Sequence, residues 1–169
     1  MVSKKDIIAE GPFLNYINKA ANKDVVSALR SNRKAFTKLL SSIPRKKRNH
    51  AYAPGKWTLK ESLQHMIDAE RVFAYRALRM ARMDATPLPG FDENSWAVAA
   101  NQQDRKWKEL VKEWMLVRAT TEIMFASFSD KELLFEGRAS NLAINALALG
   151  YVIAGHTEHH LQLFKERYL

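Results

Sequence analysis

Thr58-Leu59-Lys60-Glu61-Ser62-Leu63-Gln64-His65-Met66-Ile67 is the stretch on which the fold class turns. Thr58 followed three residues later by Glu61 is a capping-box pattern, in which the hydroxyl and the carboxylate each satisfy a free backbone amide of a helix's first turn. Leu59, Leu63, Met66 and Ile67 then recur at helical spacing, and Phe73, Leu78 and Met80 carry the stripe on to about residue 84. Trp57 stands just before the cap, where it can pack back onto that turn. A long helix with one apolar face requires partners to cover that face.

The flanking sequence supplies them. Residues 23–42 form a second amphipathic segment through Val25, Val26, Leu29, Phe36, Leu39 and Leu40, followed by a basic loop, 44–56, that holds Arg45, Lys46, Lys47, Arg48 and His50. Residues 102–128 read as a third, with Trp107, Leu110, Trp114, Val117, Ile123, Met124 and Phe125 on its apolar face, and residues 141–167 as a fourth. Pro87, Pro89 and Gly90 mark the loop 85–93, a short turn is expected near 94–100, and 129–140 reads as a plain connection. No period-2 alternation bounded by hairpin signals stands out. The expected fold is all-α, a four-helix bundle in one domain, 1–169, with 1–22 as an N-terminal arm. In such bundles, sites are built from side chains that point inward from facing helices.

With 169 residues, 47% hydrophobic and 27% charged, the composition is that of a globular domain with a real core. No run approaches the roughly 20 apolar residues of a membrane span; the least polar stretch, 142–155, is broken by Asn145. The opening Met-Val-Ser-Lys-Lys-Asp lacks the apolar core of a secretory signal, so the expected location is the cytoplasm. There is no cysteine, which excludes disulfides, cysteine-held zinc and a cysteine nucleophile; thiol chemistry would need an external thiol. The net charge of +9 is dispersed along the chain and reads first as a solvated surface, with an anionic small molecule as the other reading. No interleaved aromatic-basic motif or DNA-reading helix is present, so nucleic acid is not an expected partner.

The chemistry concentrates in Gly155-His156-Thr157-Glu158-His159-His160. His156 and His160 are four residues apart and share one helix face. His65, two turns after the capped start of its helix, lies at a compatible level if the two helices run antiparallel as neighbours. Three neutral imidazoles with a vacant position form a catalytic rather than a structural metal site, suited to zinc, nickel, copper or ferrous iron. His159 is offset by about 60° from His156 and about 100° from His160 on the helical wheel, so it is a flanking donor, a proton carrier and third candidate for general base after Glu61 and Asp68, or else a rim residue. Glu61 and Asp68 are candidates to orient the His65 ring or to act as general base, against simpler roles in capping and surface pairing. Glu158 points away from the stripe. Trp96 is the candidate pocket wall, and Arg76 is a candidate contact for an anionic ligand.

The two motifs, Trp57 to His65 followed by Asp68, Glu70 and Arg71, and Gly155 to His160 ending in Glu166-Arg167-Tyr168, resemble those of the DinB-like superfamily, which includes YfiT-like metal-dependent proteins. The resemblance implies an up-down-down-up bundle, frequently a homodimer. It implies that His65, His156 and His160 hold a divalent metal, usually zinc or nickel. It also implies a transferase that joins a bacillithiol- or mycothiol-type thiol to a small-molecule electrophile, or a thiol-dependent isomerase of the maleylpyruvate kind; water in place of the thiol on the metal would make a hydrolase instead. A non-catalytic stress-response protein that binds metal or a small ligand is the alternative. Despite the name, it does not imply DNA binding.

Overall fold

The computed structural model describes residues 2–169. Four helices form the bundle: α2 (Val25–Ser42), α3 (Leu59–Ala81), α5 (Trp107–Ala126) and α7 (Ala146–Leu163). Each start is legible in the backbone chemistry. Asp24 accepts from the Ser27 amide before α2, and Asn145 accepts from the Ala148 amide before α7. Thr58 and Glu61 close the capping box of α3 at 3.2 and 2.6 Å.

Cross-helix contacts give the topology. Asn32 reaches Glu158 and Phe36 packs on Phe164, so α2 and α7 run the same way. Arg105 reaches Gln64 and Arg118 reaches Glu70, so α3 and α5 also run together. Phe36 also packs on Trp114, near the start of α5, and His65 meets His156; these two pairs of helices therefore oppose each other. The order is up-down-down-up. This places the start of α3 beside the end of α7.

α7 is buried on every side from Ala146 to Thr157, as an all-round apolar helix must be. One cover is a short helix, α1 (Phe13–Lys19), inside the arm. The arm, over residues 2–22, is therefore packed on the bundle. Phe13, Ile17 and Ala20 join the core, and Asn145 donates from its side chain to the Asp6 carbonyl. The signal was present as Pro12 before a Phe13/Ile17 spacing, but about two turns are too short to stand out.

Other departures are local. The connection 129–140 contains α6 (Asp130–Leu134) and the first strand of a hairpin, β1 (Glu136–Ala139) with β2 (Leu142–Asn145), so α7 begins at Ala146. Its two-residue turn is Ser140-Asn141, with φ of 53° and 66°. That is a hairpin turn without the usual Asn-Gly signature, between strands too short to display alternation. The turn expected near 94–100 is a short helix, α4 (Glu93–Ala99). α5 begins at Trp107. Its core stripe is Leu110, Trp114, Arg118, Thr121, Glu122 and Phe125, while Ile123 is 71% exposed. Three polar residues in the buried stripe misdirect a pattern search for apolar ones.

Arg118 explains that stripe. It is fully buried and donates from Nε and Nη2 to the two carboxylate oxygens of Glu70, both at 2.8 Å. Nη2 also donates to Thr157 Oγ1 at 2.7 Å, and Nη1 to the Leu29 carbonyl at 3.3 Å. One guanidinium thus ties all four bundle helices together beside His156. Among the described residues, no helix is long and apolar enough to cross a membrane.

Candidate metal centre

The end of α7 and the start of α3 bring three histidines to one point. His156 Nε2 lies 3.1 Å from His65 Nε2 and 3.2 Å from His160 Nε2. One nitrogen from each ring lies within 4.8 Å of the others. A neutral imidazole has one N–H and one lone pair. His156 Nε2 therefore cannot pair with both neighbours, and extra protons are no remedy. Burial lowers the His65 pKa to about 4 and holds His156 and His160 well below the ordinary histidine value. At neutral pH three lone pairs are available at one point.

The donor set fits a divalent cation. Metal–imidazole distances of about 2.0–2.1 Å with tetrahedral angles give nitrogens separated by about 3.3 Å, close to the spacing found. His160 Nδ1 is also buried without a partner. The three Nε2 atoms are thus mismatched as a hydrogen-bond network and matched as a ligand set, while His160 Nδ1, on the far side of its ring, has no partner among the described residues in either case.

Aromatic rings fix the histidine planes. Trp57 packs on His65 with ring centres 4.9 Å apart. Tyr16 of α1 meets His156 edge-on at 5.1 Å, and Phe73 does so at 5.9 Å. Above the histidines is a hollow of about 460 Å³, within the range of small-molecule sites. Its walls include Tyr16, Trp57, Phe73, Phe91 and Leu163.

The other candidates divide. His159 lines the hollow, half-buried, with its ring 6.0 Å from Tyr16; burial and the charge of Lys19 lower its pKa. Arg76 also lines it. Glu61 and Asp68 do not. Both oxygens of Glu61 are engaged, by the Thr58 amide and by Gln102 Nε2 at 3.4 Å. Asp68 accepts from Gln64, whose own side chain is drawn toward α5 by Arg105, and burial raises its carboxyl pKa. These two acids serve the cap and the α3–α5 seam. Trp96 is 43% exposed and stands behind the wall, stacked on Phe91 at 4.8 Å. Glu158 does not face solvent alone, since it accepts from Asn32 on α2 at 3.1 Å. His50 is exposed in the basic loop.

Sequence reasoning overlooked Tyr16, because α1 was not foreseen. It also gave no role to Gly155. A Cβ on Gly155 would lie 1.7 Å from the Tyr16 carbonyl oxygen, so only glycine lets α1 lie this close to α7. Gly155→Ala is expected to displace α1 and destabilise the protein by about 1–3 kcal/mol. Proteolysis read by mass spectrometry should then show early cleavage within 13–20; wild-type protection there would refute the role.

Comparisons with known proteins bear on the fold and the family. No curated protein sequence matches the chain. Among solved structures, YfiT from Bacillus subtilis superposes with a TM-score of 0.75 at 13% identity, covering 84% of this chain and 82% of that one. YfiT is described as a probable metal-dependent hydrolase with an unusual four-helix bundle topology; at that identity the likeness establishes the shared fold. The sequence profile of the DinB superfamily matches residues 28–164, from within α2 to the first residue after α7 and across all three histidines, and on that match the chain belongs to the DinB superfamily.

Proposed function

We propose that this protein is a divalent-metal-dependent enzyme that activates water or a small thiol against a small-molecule electrophile. The observation that carries the reading is the convergence of three neutral imidazole nitrogens beneath a hollow of substrate size. The description of YfiT as a probable metal-dependent hydrolase supports it. Three imidazoles suit zinc, nickel, copper or ferrous iron alike, and the likeness to DinB-like proteins favours zinc or nickel among them. A divalent cation held there supplies Lewis acidity and lowers the pKa of water or a thiol toward neutrality.

The chain's own residues do the rest. His65, His156 and His160 hold the cation, and burial keeps them unprotonated at neutral pH. Trp57 and Tyr16 fix two of the ring planes. Phe73 and Leu163 give the hollow apolar walls. His159, neutral at pH 7, is the ring in the wall able to take a proton from the attacking group. Without cysteine, a thiol must enter as a co-substrate, and the likeness to DinB-like transferases points to one of the bacillithiol or mycothiol type.

Elemental analysis of purified wild type and His65→Ala is the direct test. The wild type should carry close to one zinc or nickel per chain, and the variant less than about a tenth of that. Turnover should follow metal content across a panel of esters, amides and thiol–electrophile pairs. Negligible metal in both proteins overturns the proposal. Bound metal without turnover leaves a metal-binding protein rather than an enzyme.

A further inference from the structure

Arg76 is 2% exposed in the wall of the hollow. A buried guanidinium is expected against a carboxylate, because water no longer stabilises its charge. Arg118 has Glu70. The other arginines in and just after α3 are also paired: Arg71 with Glu113 at 2.8 Å, Arg79 with Asp84, and Arg82 with Glu132 at 2.6 Å. Arg76 has no carboxylate partner among the described residues. Its bonds come from Nη2 alone, to two neutral oxygens: the Pro89 carbonyl at 2.6 Å and Ser140 Oγ at 3.2 Å. Nε and Nη1 have no hydrogen-bond partner among the described residues, and the side chain lines the hollow.

The surroundings hold the guanidinium in place without neutralising it. The hairpin turn and the loop before α4 are joined by backbone bonds, Ser140 to the Leu88 carbonyl and Leu88 to the Arg138 carbonyl, both 2.9 Å. The positive φ of Ser140 belongs to that turn. Phe91 lies beneath the guanidinium, 5.9 Å from ring centre to carbon. A cation held by neutral groups in the wall of a cavity, with donors left over, is suited to receive an anion.

We infer that Arg76 binds a carboxylate of the substrate, so that the substrate is a small carboxylic acid with its reacting bond over the three histidines. One unpaired positive charge matches one negative charge. Glu93, also in the wall, disfavours a dianion such as a phosphate monoester. Arg76 lies eleven residues beyond His65 on α3, about 16 Å along the axis, and its side chain leans back toward the start of the helix. The carboxylate and the reacting bond are therefore on the order of 10 Å apart. That the far end reacts rests on the metal chemistry proposed above; that Arg76 takes a carboxylate does not.

The test is titration of ¹⁵N-labelled, zinc-loaded protein with hexanoate, 4-phenylbutyrate, their primary amides and inorganic phosphate, following the Arg76 Nε–H signal. The carboxylates should shift it saturably and bind about tenfold or more tighter than the amides. In Arg76→Gln that preference should vanish. The wild-type signal decides the matter even if this variant does not fold. Equal binding of acid and amide, an unmoved Nε–H, or tighter binding of phosphate would each overturn the inference. The same titration of metal-poor His65→Ala separates the two proposals. A preference kept there stands whether or not the wild type turns over substrate. A preference lost there, with Nε–H unmoved in the wild type, would place the carboxylate on the metal and refute the role of Arg76.

Discussion

Arg118→Ala will lower folding stability by about 3–5 kcal/mol, a large part of the roughly 5–15 kcal/mol that holds a domain of this kind together. Arg118 is fully shielded from water and Glu70 is 2% exposed. Removing the guanidinium strands a carboxylate in the core, deprives Thr157 and the Leu29 carbonyl of a donor, and opens a cavity. Replacing both charges with apolar residues of similar volume, Glu70→Leu with Arg118→Met, should recover most of the loss, because no unpaired charge remains. Urea unfolding followed by circular dichroism measures both. A loss below about 1 kcal/mol for the single variant would mean that the pair contributes little beyond filling space. The effect should also reach the metal centre, since Thr157 is the next residue after His156.

Acid should destabilise the metal-free protein steeply, and earlier than carboxylate titration alone would do. In the unfolded chain, each histidine takes a proton near pH 6.5. In the folded protein, burial holds His65 unprotonated until about pH 4 and His156 and His160 to values well below the ordinary one. Between about 6.5 and 4 the unfolded state therefore binds more protons, so stability falls as pH falls through that window and is flat above it. The limiting slope is about 1.4 kcal/mol per pH unit for each histidine. Asp68 and Glu122, whose carboxyl pKa values are raised by burial, offset part of this near the acid end. Urea midpoints at pH 7, 6 and 5 in a chelator give the test, with His65→Gln showing a shallower slope. A wild-type midpoint unchanged from pH 7 to 5 would contradict neutral, buried rings.

Much of the architecture was readable from residue types. The Thr58/Glu61 cap, the helical spacing of apolar residues and the four-residue separation of His156 and His160 depend on local chemistry, which repeats wherever those residues occur. The misplacements also have local reasons. Strands of four residues are too short to display a period. Arg118, Thr121 and Glu122 occupy core positions on α5 because Glu70 and Arg33 are there to meet Arg118 and Glu122. Glu61 and Asp68 lie near His65 in sequence, yet the neighbouring stripe of α3 faces α5 rather than the hollow.

By itself, the sequence determined an all-helical bundle with a capped α3 and a histidine pair one turn apart near the end of α7, because hydrophobic period, capping and i,i+4 spacing act within a few residues of each other. Only the tertiary structure decided that His65 completes the triad, that α1 lies across Gly155 to set Tyr16 against it, and that Arg76 lines the hollow with only neutral hydrogen-bond partners. Those outcomes depend on the direction and closeness of helices far apart in the chain, and packing of the whole core sets both.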